Sequence, residues 1–180
     1  MNDEFFSTDS PLKKIVITGP ESSGKTTLAA ALAAHFAADW SPEFARTYLH
    51  FLSRDYTQQD LPAIARGQIA QENWYQRQNP EWLFCDTDLT VLHVWHLWKY
   101  GETNPFIEEQ MFARRAGFYL LCLPDLPWQP DPLRESREHL QALFTLYEKT
   151  LQQLDAPYGI VRGQGSERLQ NALFLLQHLK

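Results

Sequence analysis

After a short β-branched run, Ile15-Val16-Ile17-Thr18, the chain reads Gly19-Pro20-Glu21-Ser22-Ser23-Gly24-Lys25-Thr26, and then places Leu28, Leu32 and Phe36 four residues apart. Glycine, four residues, glycine, lysine and a hydroxyl residue is the pattern of a phosphate loop, which requires a buried strand before it and a helix after it. Both are legible here. The glycines let the backbone curl until successive N–H groups face phosphate oxygens, Lys25 adds a flexible cation, and Thr26 offers a hydroxyl to magnesium. Gly19, Pro20, Glu21, Ser22, Ser23, Gly24, Lys25, Thr26 and Thr27 are therefore the expected nucleotide-binding stretch, with ATP as the donor.

A chain of 180 residues with 44% hydrophobic and 13% aromatic content suits one domain with a sizeable core. We read residues 1–12 as a flexible arm and 13–180 as a single domain. The formal net charge of -6 argues against a general nucleic-acid or membrane-surface binder. Cys85 and Cys122 fall in apolar runs without metal-type spacing, as reduced core thiols of a cytoplasmic protein would. No apolar run approaches the roughly 20 residues that span a bilayer, and Met1 to Leu12 is too polar for a secretory signal.

Further strands are expected at 37–40, 82–85, 118–123 and 158–161. Helices are expected at 57–77, 89–100, 136–154 and from Ser166 through Leu179, with Ser166 as cap. Strands that are apolar throughout and alternate with helices indicate a five-stranded parallel sheet covered on both faces, an α/β fold of the P-loop NTPase kind. Such sheets gather ligands at the carboxyl ends of their strands. The polar clusters fall there: the phosphate loop, Glu43 and Arg46, Asp86 and Asp88, the proline-rich stretch after 123, and Arg162-Gly163.

Phosphoryl transfer asks a protein to position groups and neutralise charge. Asp86, ending an apolar strand, is placed to serve magnesium with Thr26; its alternative is to cap the following helix, which Thr87 or Asp88 could equally do. Asp88 or Glu43 could orient an acceptor hydroxyl as general base. Arg46, three residues after Glu43, is either a substrate clamp or a salt-bridge partner. The stretch 124–137 carries four prolines within nine residues and reads as a closing lid that brings Arg134 and Arg137 onto the phosphates. Arg162 would join the nucleotide site. Trp40 and Trp128 are the candidates for stacking on a flat acceptor ring, whereas His93 and His96, beside Trp95 and Trp98, read as structural.

Taken together, Gly19 to Thr26, Pro42-Glu43-Phe44-Ala45-Arg46, Phe84-Cys85-Asp86-Thr87-Asp88 and Pro127-Trp128 with Asp131 and Arg134 resemble the ribosylnicotinamide kinase domain of NadR-type proteins and their stand-alone relatives among AAA-type ATPases. The resemblance covers most of the chain. It implies a nucleoside-kinase-like fold and transfer of the ATP γ-phosphate, with magnesium, to the ribose 5′-hydroxyl of nicotinamide riboside. Pro42 departs from the family pattern, which has an aromatic residue before the glutamate; Trp40 could replace that ring, or the acceptor could be another nucleoside or small alcohol. A nucleotide-dependent switch with no small acceptor is the reading from another class.

Overall fold

The computed structural model describes residues 13–78, 80–131 and 137–179. The arm at 1–12 and Arg134 lie outside them. Five strands form one all-parallel sheet: β1 (Lys13–Thr18), β2 (Trp40–Ser41), β3 (Trp82–Asp86), β4 (Phe118–Cys122) and β5 (Tyr158–Val161). Their order across the sheet is β2-β3-β1-β4-β5. The helices that cover it are α1 (Lys25–Phe36), α2 (Phe44–Phe51), α3 (Leu61–Gln76), α4 (Leu89–Tyr100), α5 (Pro105–Ala113), α6 (Leu140–Gln153) and α7 (Gly165–Leu176).

Because side chains alternate along a strand, each central strand feeds two cores. Ile15, Ile17, Phe84, Leu120 and Cys122 pack under α1 and α7, while Val16, Leu83, Cys85, Tyr119 and Leu121 pack under α3, α4 and α6. Both thiols are buried and free. Among the described residues, no helix is long and apolar enough to cross a membrane.

Several boundaries differ from the sequence reading. The second strand is Trp40–Ser41, set by its pairing with Phe84 and Cys85. The helix expected from 57 starts as a 3-10 turn, Gln58–Asp60, in which Thr57 and Asp60 cap one another. The helix expected at 136–154 likewise opens with a 3-10 turn, Arg137–His139, before α6. The last helix begins at Gly165 with Gln164 at its cap, so Ser166 sits inside it. Helix α5 was not anticipated, although Asn104 caps it through Phe106 and Ile107 and Pro105 opens it, which is a readable start signal.

Candidate active site

Strand β1 delivers the phosphate loop at its carboxyl end. Gly19 has φ 133°, and a Cβ there would lie 2.7 Å from the Cys122 carbonyl oxygen, so no other residue fits the passage beside β4. Gly24, at φ 74°, sits in the cap position of α1 without any side-chain cap. The first amides of α1 are thus left to an anion. Lys25 Nζ donates to the Pro20 carbonyl at 2.8 Å, and Ser23 Oγ donates to the same oxygen at 2.7 Å.

The carboxyl end of β3 meets this loop. Thr26 Oγ1 donates to Asp86 Oδ2 at 2.6 Å, while Asp86 Oδ1 is buried and has no partner. Burial pushes the Asp86 carboxyl up to about 6; Glu43 adds to that shift, and the Thr26 hydrogen bond, Lys25 and Arg46 oppose it. An unpaired carboxylate oxygen beside a threonine hydroxyl is the donor set of a hard divalent cation that completes its shell with water and phosphate. Thr26 and Asp86 therefore fit magnesium.

Asp88 is turned to another purpose. Its Oδ1 accepts from the Thr90 amide at 2.9 Å and from Thr90 Oγ1 at 2.6 Å, capping α4, and its Oδ2 accepts from the Tyr119 hydroxyl at 3.0 Å. It is buried and pushed up by desolvation. With both oxygens so engaged, Asp88 is held inside the fold by α4 and β4. Between the two aspartates Thr87 adopts φ 70°, a left-handed conformation that is costly for a β-branched residue and separates their directions.

A cavity of about 670 Å³ runs from the phosphate loop to an apolar chamber. At the loop end its wall includes Ser22 to Leu28, Leu126, Pro127, Gln164 and Arg168; at the far end it includes Leu49, Val94, Trp95, Trp98, Leu143 and Tyr147. Glu43 and Arg46 line it too. Arg46 Nε donates to Glu43 Oε2 at 3.1 Å, and its NH1 donates to Asp131 Oδ2 at 3.0 Å, tying α2 to the proline-rich stretch. That stretch also touches the phosphate loop, where the Gln129 amide donates to Ser22 Oγ at 3.0 Å.

Four expected contributors stand elsewhere. Trp40 packs against the core beneath α1, in register with Phe84, because its alternate position on β2 faces that side. Trp128 is half-buried but is not part of the cavity wall; the tryptophans that do line it are Trp95 and Trp98 on α4. Arg162 is exposed on the descending side of β5, and Arg137 is exposed outside the wall, where His139 takes its place against Trp98 at a ring separation of 5.5 Å.

Sequence reasoning missed Arg168. This buried side chain donates to the carbonyls of Ser23 at 2.7 Å, Leu123 at 2.9 Å and Gly163 at 2.6 Å, and to Asp125 Oδ1 at 2.7 Å. It fastens the phosphate loop to the ends of β4 and β5 from one guanidinium. Three of these partners, Ser23, Leu123 and Asp125, are distant in sequence, so only their convergence reveals it. Trp95 and Trp98 had a weaker signal in their spacing on a helix that leaves the Asp86 crest.

A parallel sheet in the order 2-3-1-4-5, a phosphate loop after its central strand and an acidic residue at the end of the neighbouring strand define a P-loop NTPase fold of the nucleoside and nucleotide kinase type. Within that class the chain belongs to the AAA domain family, whose model matches residues 14–168. It is 28% identical over 127 residues to the trifunctional NAD biosynthesis/regulator protein NadR of Escherichia coli, a match covering 68% of this chain and 31% of the relative. The NadR protein of Salmonella typhimurium matches to the same extent. The chain thus spans only about a third of these relatives.

Among solved structures, NadR in complex with NR superposes with a TM-score of 0.71 at 21% identity, over 92% of this chain and 51% of that one. Deoxyadenosine kinase from M. mycoides superposes with 0.61 at 15% identity, over 92% and 98%. Thymidylate kinase from Ehrlichia chaffeensis gives 0.64 at 11%, over 94% and 99%. These likenesses establish the fold.

Proposed function

We infer that the protein is a phosphotransferase that moves the γ-phosphate of ATP to the 5′-hydroxyl of a nucleoside, with nicotinamide riboside as the first acceptor to test. The observation that carries this reading is the position of Glu43. It lines one cavity with the phosphate loop and an aromatic-walled chamber, and it is near enough to Asp86 and Tyr147 to raise the proton affinity of both.

The amides of the phosphate loop and of the α1 N-terminus hold the donor phosphates, and Lys25 exchanges the Pro20 carbonyl for a phosphate oxygen. Thr26 and Asp86 would hold magnesium, which would supply charge neutralisation for the phosphates. In the chamber Trp95 and Trp98 receive a flat ring, and Leu49, Val94 and Leu143 exclude water, which favours transfer over hydrolysis. Glu43 accepts the hydroxyl proton as the acceptor oxygen attacks. Arg46 aligns Glu43 and joins it to the proline-rich stretch at Asp131.

Support for nicotinamide riboside comes from the NadR matches, one of which is a structure with NR bound. Support for a different nucleoside comes from the likeness to deoxyadenosine kinase over nearly the full length of both chains. ADP release with magnesium-ATP against nicotinamide riboside, a panel of other nucleosides and no acceptor separates these. Release stimulated by nicotinamide riboside, with a mononucleotide product, supports the named substrate. Stimulation only by another nucleoside reassigns the acceptor, and no stimulation by any of them removes the kinase reading.

A further inference from the structure

Glu43 occupies the cap position of α2, at φ −65° and ψ 108°, yet its side chain makes no capping bond. A capping carboxylate accepts from an amide of the first turn and would be turned away from the cavity. Here the side chain instead meets Arg46 in the cavity wall, and the amide that opens the helix is held from α3. Gln68 of α3 accepts from the Phe44 amide with Oε1 at 3.0 Å.

The orientation of Gln68 is itself dictated. Its Nε2 donates to Glu72 Oε1 at 3.2 Å, and the Phe44 amide can only donate, so the amide oxygen of Gln68 must face Phe44. Glu72 is 1% exposed, and its Oε2 accepts from Lys14 Nζ at 2.6 Å. On the other side of Glu43, Gln71 Nε2 donates to the Pro42 carbonyl and to Ser41 Oγ. Gly67 completes the contact, for a Cβ there would lie 2.0 Å from the Phe44 ring. A helix-interior glycine costs about 1 kcal/mol relative to alanine, so its presence in α3 answers a packing need.

We propose that α3 is a cradle for the general base: Gln68 and Gln71, backed by Glu72 and Lys14, are positioning residues that fix the backbone on both sides of Glu43 and so set where its carboxylate meets the acceptor hydroxyl. The inference rests on the kinase reading given above. It concerns residues that do not line the cavity and touch neither nucleotide nor acceptor.

The test is a kinetic double-mutant cycle with Gln68→Met, which keeps the length of the side chain and removes both hydrogen bonds. A displacement of a positioned group by about 1 Å costs on the order of 100-fold in rate. Gln68→Met is expected to lower kcat for transfer roughly 10- to 100-fold while KM for ATP stays within about twofold. In a Glu43→Gln background the same substitution is expected to change kcat less than about twofold, since the group it positions is already gone. In parallel, amide exchange at Phe44 should quicken at least about tenfold in Gln68→Met with exchange in β1 and β3 unchanged.

An equal loss in both backgrounds, or an unchanged Phe44 amide, overturns the cradle. Should Gln68→Met fail to fold, Gln71→Leu, at a half-buried position, enters the same cycle with the same expectation. The kinase reading fails separately. If Glu43→Gln keeps the wild-type rate, the base is misassigned whatever Gln68 does; if the wild type transfers to no acceptor, Phe44 exchange alone decides whether α3 holds the segment.

Discussion

Asp86 and Asp88 are two residues apart and share a crest, and their chemistry diverges because of what each faces. Asp86 keeps one oxygen unpaired beside Thr26, whereas both oxygens of Asp88 are consumed by Thr90 and Tyr119. From sequence the pair offered three roles, namely metal support, acceptor orientation and helix capping, and spacing alone could not distribute them. The two-residue alternation of a strand does not survive Thr87, whose left-handed backbone redirects the chain. Asp88→Ala is therefore expected to act on stability. It leaves the Thr90 amide and the Tyr119 hydroxyl unpaired in the interior, at a cost of about 2–4 kcal/mol. Urea unfolding should show this loss, while KM for ATP measured on the folded fraction stays near the wild-type value.

At the scale of elements, capping arrangements set where helices begin, and their signals differed in legibility. Thr57 and Asp60 form a reciprocal cap, with the Thr57 amide donating to Asp60 Oδ2 at 2.7 Å. Arg54 adds two bonds to the same carboxylate, each 2.8 Å, and Tyr48 adds one at 2.9 Å, so α2, the 3-10 turn and α3 are joined at a single aspartate. These donors, the Arg54 guanidinium foremost, hold the Asp60 carboxyl below the ordinary carboxylate range. A lowered folded-state value means that Asp60 stabilises the fold above its unfolded pKa and loses that contribution as pH falls. Asp60→Asn should melt below the wild type at pH 7, and the gap between their melting temperatures should narrow as pH drops from about 5 toward 3. A gap independent of pH would assign the effect of Asp60 to packing.

The elements themselves were largely legible. The buried strands β1, β3 and β4 announce themselves as continuous apolar runs, which is what a sheet covered on both faces demands. β2 did not, because a two-residue edge strand has too short a pattern and owes its existence to pairing with β3. The 3-10 turn before α3 was likewise invisible to periodicity, since three residues carry no helical face.

For the whole molecule, the uncapped start of α1, the displaced Lys25 and the orphaned Asp86 oxygen all await one ligand. Ligand that binds only the folded chain raises stability by about 2.7 kcal/mol at a concentration of 100 Kd. Magnesium-ATP should therefore raise the melting temperature by several degrees. Lys25→Ala should abolish most of that shift without lowering the melting temperature of the free protein by more than a degree or two, because Lys25 bonds only to Pro20 at a half-buried position. Arg168→Ala is expected to do the opposite and lower the melting temperature of the free protein itself, since it unfastens the loop from the ends of two strands.

The sequence by itself determined the phosphate loop, the apolar strands of a parallel α/β sheet, Asp86 at the end of one of them, and Glu43 with Arg46 as a pair, because each is read from a short local run of residues. The tertiary structure alone decided which rings line the apolar chamber, which aspartate is spent on a cap, that Arg168 ties the loop to two strands, and that α3 holds the backbone beside Glu43. Those outcomes depend on side chains distant in sequence meeting across the sheet, and the direction in which a side chain points follows from how its helix or strand is packed.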